Sequence, residues 1–471
     1  MRIFFGITGQ LGYGGLVQQS VILVKFLREF GCEVFPLVGL APPYNDEVDL
    51  DELDYTFEAF NIADYVLRDK PSFLRWLLGW YARHQVARTH PKKLRRLNGG
   101  TSKIDVDVKR VLQNLIYNPD EGDIEKVAKL RRDFRPDIDY ACELSMAGYF
   151  GALDDLGIPL VTSAQGYELC QRFGVDLVPV IRANAERIDA VISGSYANVR
   201  ENVARDLPFL LPKTRVIHYG IVNDHHYEMS REEAERRTSR FVGKTDDFTI
   251  VSLGRMEVEK GVDLALHAIR ILLNEGIKVR LRIVGDWPMN DHFYPILQSK
   301  VSMMDLNDHV DCIGFVESKP DKVALLKTSD AMLATFIKSE PFGLVLCEAM
   351  SAAIPVVCPD TGAGPEILSW NGIRSGLVYR TQDTGQMADR IRHLIEHPEE
   401  RKQMGYNGAL AVRQYFHARR MAADILRLFE ELVEQKRSRA RSVSAAPDVA
   451  APALGDSLPP PSPGRALRAY L

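Results

Sequence analysis

Short apolar runs alternate with longer stretches of helical periodicity along nearly the whole chain. That alternation is the pattern of parallel sheets whose strands are joined by crossover helices. In the first half the runs predict strands at Ile3–Thr8, Glu33–Val38, Asp137–Ala141, Leu160–Ser163, Ala190–Ser193 and Arg215–His218. In the second half they predict strands at Thr249–Leu253, Lys278–Val284, Val310–Ile313, Ala331–Ala334, Val356–Cys358 and Leu377–Tyr379. Two comparable series predict an α/β chain of two doubly wound, Rossmann-like domains, whereas a closed barrel would need one uninterrupted eightfold repeat. A polar, charged stretch near Gly220–Asp247 separates them. The organisation that follows is an N-terminal domain over 1–222, a second domain over 245–405 and a helical segment over 406–435. In that last segment Met421, Ile425, Leu428, Phe429 and Leu432 fall on one face. After Gln435 the chain turns basic and then rich in Ala, Ser and Pro. Such a composition lacks the means to build a core, so 436–471 is expected to be a disordered tail.

A length of 471 residues suits two domains of roughly 200 residues each. The formal net charge of −4 lacks the basic excess of a general nucleic-acid binder, so no nucleic-acid partner is expected and any electrostatic function must be local. Six cysteines (Cys32, Cys142, Cys170, Cys312, Cys347, Cys358) are scattered, with no CxxC pair and no His at metal-ligand spacing. Five have apolar surroundings, as buried free thiols do, which points to a reducing compartment. The apolar run at Met1–Ile7 is too short for a signal peptide, and no stretch reaches the roughly 20 apolar residues of a membrane span. A cytoplasmic chain, at most peripheral to the inner membrane face, is expected.

The segment Lys70–Arg96 stands apart. It holds eight Lys or Arg residues and no Asp or Glu, with Phe73, Leu74, Trp76, Leu77, Leu78, Trp80 and Tyr81 interleaved at its start. A basic helix with Trp suits an interfacial membrane contact. The alternative is a domain helix that packs its aromatic residues inward, because the apolar positions nearly encircle it.

Three loops at predicted strand ends carry candidate chemistry. Ser339–Met350 reads SEPFGLVLCEAM, follows the strand at Ala331–Ala334 and opens a helix with Pro341 suited to its first turn. Free amides of Phe342, Gly343 and Leu344 then face the crevice beyond the strand, where helix N-termini attract phosphate or other anions. Glu340 before the helix and Glu348 inside it could reach different hydroxyls of one extended ligand. The plainer reading is a capping Glu340 and an exposed helical Glu348.

The second loop, GRMEVEKG at 254–261, follows Thr249–Leu253 and precedes a helical pattern over Val262–Leu273. Arg255 in fork geometry and Lys260 as a point charge can converge on a diphosphate; a solvated surface turn is the alternative. The third, GQLGYGG at 9–15, lets backbone approach a ligand closely but fits a dinucleotide fingerprint only loosely, and no acidic residue ends a clean second strand. Walker, HExxH and GxSxG sequences are absent, and the candidate loops hold no clustered Asp pair to keep Mg²⁺ against a diphosphate. Arg255, Lys260 and a helix N-terminus can stabilise a departing nucleoside diphosphate without metal, so neither metal nor bound cofactor is expected.

These residues resemble the retaining glycosyltransferases of family 4, which have the two-Rossmann-domain GT-B fold. The likeness covers roughly 1–435 and is strongest from Thr249 to Tyr379. Its centre is the Glu-x7-Glu run from Glu340 to Glu348, flanked by GRMEVEKG (254–261), RIVGD (282–286), AIPVVCPDTGAGPEIL (353–368) and RSGLVY (374–379). The resemblance implies a donor site lined by Gly254, Arg255, Lys260, Gly285, Glu340, Phe342, Gly343, Leu344, Val345 and Glu348, with Glu340, Arg255 and Lys260 serving catalysis. Arg255 and Lys260 would bind the donor diphosphate, Glu340 and the amides of 342–344 the transferred sugar, and Glu348 the nucleotide ribose. Gly14, Gly15, Gln165 and Glu168 would face the acceptor from the opposite domain. The implied partners are a nucleoside-diphosphate sugar and a carbohydrate, lipid-linked or small-molecule acceptor, with transfer that retains anomeric configuration.

Three positions depart from the family pattern. Gln165 stands where the family has His; it can donate a hydrogen bond but cannot carry a proton or a positive charge. Tyr219 replaces a usual Asn and Ala353 a common Gly, and neither is expected to touch the donor site directly. A non-catalytic sugar-nucleotide-binding protein and a GT-B sugar-nucleotide epimerase are the competing readings.

Overall fold

The computed structural model describes residues 1–7, 15–38, 47–50, 55–58, 60–61, 121–165, 177–243, 245–285, 293–316 and 318–444. The first sheet contains β1 (Arg2–Ile7), β2 (Glu33–Val38), β5 (Phe60–Asn61), β6 (Ile138–Ala141), β7 (Leu160–Ala164), β8 (Ala190–Ser193) and β9 (Thr214–Val216). Their order is β5-β2-β1-β6-β7-β8-β9, parallel throughout. The second contains β10 (Phe248–Leu253), β11 (Val279–Val284), β12 (Val310–Gly314), β13 (Ala331–Leu333), β14 (Val356–Pro359) and β15 (Gly376–Tyr379). These run β12-β11-β10-β13-β14-β15, again all parallel. A separate antiparallel pair, β3 (Glu47–Leu50) and β4 (Tyr55–Glu58), lies between β2 and β5 in sequence.

All twelve expected strands are present, with ends shifted by no more than two residues. Most were readable because parallel strands are buried on both faces and so form continuous apolar runs; β9 and β12, at the sheet edges, are only partly buried. β3, β4 and β5 were not readable, since their short polar sequences carry no such run. The helix Val262–Asn274 turns Val262, Ala265, Leu266, Ile269 and Leu272 into the core beside β10 and β11, the stripe expected of an amphipathic crossover helix.

The domains are joined by more than the connecting chain. Ile221 makes two backbone hydrogen bonds to the segment around His417: Ile221 N donates to Phe416 O (2.9 Å) and Ala418 N to Ile221 O (3.0 Å). The last helix, Ala418–Ser444, then lies along the N-terminal domain. There Phe429 packs its ring 5.4 Å from Tyr140 of β6, and Arg419 pairs with Glu29 at 2.7 Å.

This helix corrects the expectation of disorder from 436. It continues to Ser444, because Lys, Arg and Ala are good helix formers and acids of the N-terminal domain meet the basic run. Lys436 binds Asp155 (3.0 Å) and Asp189 (3.4 Å), and Arg437 binds Asp137 (2.7 Å). Residues 445–471 lie outside the described residues, as does Lys70–Arg96. No helix among the described residues is long and apolar enough to cross a membrane. Cys32, Cys142, Cys312, Cys347 and Cys358 are free thiols.

Candidate functional site

In the second sheet the strand order reverses at β10, which lies between β11 and β13. Ligands of open α/β sheets bind beyond the strand C-termini at such a reversal. Both candidate loops of this domain leave from that edge and touch each other. Thr335 Oγ1 donates to Lys260 O (2.6 Å), and Ile337 N donates to Glu259 O (3.1 Å). Gly254 and Gly285 follow β10 and β11 as two backbones in close approach. A Cβ on Gly285 would fall 1.6 Å from the Gly254 carbonyl oxygen, so only glycine fits at 285.

The helix after Glu340 begins later than expected. It spans Leu344–Ser351, with Gly343 before it in the left-handed region (φ 82°). Pro341 therefore lies three residues outside the helix. The left-handed turn, which glycine adopts without Cβ strain, sets where the helix can start. Leu344 and Val345 contribute amides of the first turn, which have no intrahelical acceptor. Phe342 does not face the crevice with its ring: that ring is buried between Tyr219 (5.4 Å, edge-on) and Phe416 (5.9 Å).

Each of the four charged side chains expected on the donor side, Arg255, Lys260, Glu340 and Glu348, has a counter-ion in the protein. Lys260 Nζ binds the Glu340 carboxylate and also lies 4.8 Å over the Phe336 ring. Arg255 pairs with Glu257 at 2.8 Å, and Glu348 pairs with Lys322 of the helix Lys319–Lys327 at 3.1 Å. Glu340 and Lys260 are 80 positions apart in sequence, so their contact is what brings the two motifs into one site. Sequence reading missed Lys322 and Glu257, whose only signal was opposite charge near the motifs.

Across the crevice, Gln165 follows β7 half-buried, and its amide nitrogen lies 3.4 Å from Cys142 O. Gly15 opens the helix Gly15–Glu29 after β1. Gly14 and Glu168 lie outside the described residues.

The domain seam runs beside Glu340 and was not readable from sequence. Glu366 accepts hydrogen bonds from the amides of Tyr196 (3.2 Å) and Ala197 (3.0 Å), and contacts His218 Nε2 at 2.6 Å. Burial opposes ionisation of Glu366, yet the His218 hydrogen bond and the Ala197 and Tyr196 amides outweigh it and hold its carboxyl below the usual glutamate range. Burial likewise opposes ionisation of Glu201, and hydrogen bonds from Gly362 N (2.9 Å), Ser339 and Arg200 hold it low.

Tyr219, expected not to touch the donor site directly, packs its ring against that of Phe342. Its ring fills the space beside Gly194, where a Cβ would come within 2.6 Å. Ala353 has φ 60°, a conformation costing an L-residue about 1–2 kcal/mol. The glycine common at that position would avoid the strain.

Among the described residues, one trio has ligand atoms close enough to share a metal ion: Asp224, His225 and His226, within 4.8 Å. It includes no expected site residue. Asp224 is already bound to Lys319 and to the His226 amide.

Two facing Rossmann-like domains with this crevice make the fold that of the GT-B glycosyltransferases. Residues 235–411 match the family model described as Glycosyl transferases group 1. The chain is 31% identical over 207 residues to D-rhamnosyltransferase WbpZ of Pseudomonas aeruginosa, a match that spans 44% of this chain and half of that relative. Among solved structures, sucrose-phosphate synthase from Thermosynechococcus elongatus superposes with a TM-score of 0.67 at 16% identity, covering 92% of this chain and 99% of that one. Anabaena HepE in complex with UDP superposes at 0.66 with 18% identity, covering 92% and all of that chain.

Proposed function

We propose that this chain is a retaining glycosyltransferase of family 4, moving a sugar from a nucleoside-diphosphate donor to a hydroxyl of a carbohydrate, lipid-linked or small-molecule acceptor without metal. The observation that carries the reading is the contact between Lys260 and Glu340 at the strand reversal. It puts a cation for a diphosphate and a carboxylate for sugar hydroxyls side by side, next to a helix N-terminus. The group 1 match over 235–411, and a structural neighbour, HepE, that was solved in complex with UDP, support a nucleotide-sugar donor.

Donor binding exchanges partners within the site. The diphosphate takes Lys260 and Arg255 from Glu340 and Glu257. Glu340, released, accepts hydrogen bonds from the sugar hydroxyls beside the first amides of the Leu344 helix, while Glu348 takes the ribose. The leaving diphosphate is stabilised by the two cations and the helix N-terminus in place of a metal ion. Attack comes from the same face of the sugar, with the departing phosphate drawing the proton from the acceptor hydroxyl.

Incubation with labelled nucleotide sugars tests this reading. Transfer or donor hydrolysis is expected to fall by roughly a hundredfold or more in Glu340→Ala, the scale of removing a group that binds the reacting fragment. Unchanged turnover in that variant would sink the assignment. A non-catalytic nucleotide-sugar-binding protein is the second reading, favoured by the neutral Gln165 amide. It would show tight nucleotide binding with no turnover under any acceptor mixture. Membrane contact through Lys70–Arg96 remains a separate proposal, resting on its basic and aromatic sequence alone.

A further inference from the structure

The backbone around Glu340 is held by two domains. Its own domain supplies Ala363 N, which donates to Glu340 O at 2.9 Å. The opposite domain supplies Ser195, whose hydroxyl lies 2.6 Å from Pro341 O, and Asn202, whose amide nitrogen lies 3.4 Å from Ser339 Oγ. The residues on both sides of Glu340 are thus bonded to one short segment of the N-terminal domain, 195–202.

The direction of the Ser195 bond follows from its partners. Its oxygen accepts the Asn198 amide at 2.9 Å, capping the helical stretch 196–206. Pro341 O is a carbonyl and can only accept, so the single hydroxyl proton of Ser195 is committed to it. Ser195 and Asn198 are fully buried, and Asn202 nearly so, which makes their partners costly to lose.

The same segment reaches the acceptor side. Asn198 Nδ2 donates to Ala164 O at 2.9 Å, on the last residue of β7 and immediately before Gln165. Its Oδ1 accepts from Asn202 at 2.8 Å. A continuous hydrogen-bonded path therefore runs from the end of β7 through Asn198 and Ser195 to Pro341 and Glu340. Glu201, on the same segment, binds the Gly362 amide next to Ala363.

We propose that Ser195, with Asn198 behind it, is a positioning residue that fixes the Glu340 backbone from the opposite domain and ties its place to the end of β7. This rests on the reading of Glu340 as a sugar-binding carboxylate only for its catalytic meaning; the positioning itself does not depend on it.

Hydrogen–deuterium exchange on the full chain tests the positioning without a ligand. In Ser195→Ala, peptides spanning 336–346 and 360–366 should exchange about tenfold faster, the scale of losing a buried hydrogen bond. The β10 peptide (248–253) should be unchanged. Ser195→Thr, which keeps a hydroxyl, should restore protection. Ser195→Asp, which can cap the helix but cannot donate to Pro341 O, should keep 196–206 protected yet leave 336–346 exposed to exchange. If Ser195→Ala does not fold, Glu201→Ala is expected to give the same pattern through Gly362. Protection at 336–346 equal to that of the unaltered protein, or equal acceleration across both sheets, would overturn the inference. Failure of the sugar-transfer reading would appear elsewhere, as unchanged turnover in Glu340→Ala with these exchange patterns intact.

Discussion

The crevice and the domain seam meet at Glu340, and they hold their charges in different ways. In the crevice, side chain pairs with side chain: Lys260 with Glu340, Arg255 with Glu257, Lys322 with Glu348. In the seam, side chains also reach the opposite backbone: Glu366 binds the Tyr196 and Ala197 amides besides His218, Glu201 binds Gly362, and Ser195 binds Pro341 O. An incoming diphosphate can displace a carboxylate from an ammonium, because it offers the same kind of partner with more charge. It offers nothing to a buried main-chain bond already made. On the proposed function, the crevice exchanges partners and the seam keeps them.

The largest effect should come from breaking the exchange. Lys260→Ala removes the cation proposed to hold the diphosphate and leaves Glu340 without its counter-ion, whereas Arg255 is more exposed, at 43% against 23% for Lys260. Charged hydrogen bonds contribute about 1.5–3 kcal/mol, so Lys260→Ala should weaken nucleoside-diphosphate binding by roughly a hundredfold and Arg255→Ala by roughly tenfold. Calorimetric titration with UDP and GDP checks the ratio. Equal losses would mean that the pairing with Glu340 carries no weight.

Breaking the seam should cost stability before it costs nucleotide binding. Glu366→Gln removes a charge held by His218 and two amides, which should lower stability by about 1–3 kcal/mol while leaving diphosphate affinity within about twofold. The pH dependence has a definite sign. A carboxylate held below its ordinary value contributes stability above the unfolded glutamate value of about 4.3, and that contribution is lost as pH falls through the lower folded value. Thermal unfolding of the unaltered protein should therefore drop more steeply below about pH 4.5 than that of Glu366→Gln. Parallel profiles would remove Glu366 from the seam's electrostatics. The groups facing it are His218, the Tyr196 and Ala197 amides, and Trp370 against the His218 ring at 4.4 Å.

This difference between crevice and seam also explains what could be read in advance. Most strands were legible because burial on both faces leaves apolar runs, and the two loops that meet at the strand reversal were legible as charged, glycine-bearing segments at strand ends. Pro341 was misplaced because nothing in EPFG says that Gly343 turns left-handed before the helix begins. The seam was opaque for a different reason. Glu366 meets Tyr196 and Ala197 about 170 positions away, and Ser195 meets Pro341 at 146, so each pair exists only once two domains are docked. Ser195, Glu201 and Glu366 look in sequence like ordinary surface polar residues.

The smallest effect is expected at Gln165. Its amide nitrogen lies 3.4 Å from Cys142 O, a long contact contributing little. Gln165→His keeps a donor at that place, so stability should change by no more than about 0.5 kcal/mol and nucleotide affinity hardly at all. What the imidazole adds is an ionisation near pH 6.5, which an amide cannot have. If the acceptor side acts through neutral hydrogen bonding alone, the pH profile of turnover between pH 5.5 and about 7.5 should gain a new inflection in Gln165→His. The unaltered protein should show no such inflection there. An identical profile in both proteins would place residue 165 outside the reacting centre, and the contrast between a charged donor side and a neutral acceptor side would lose its only titratable probe.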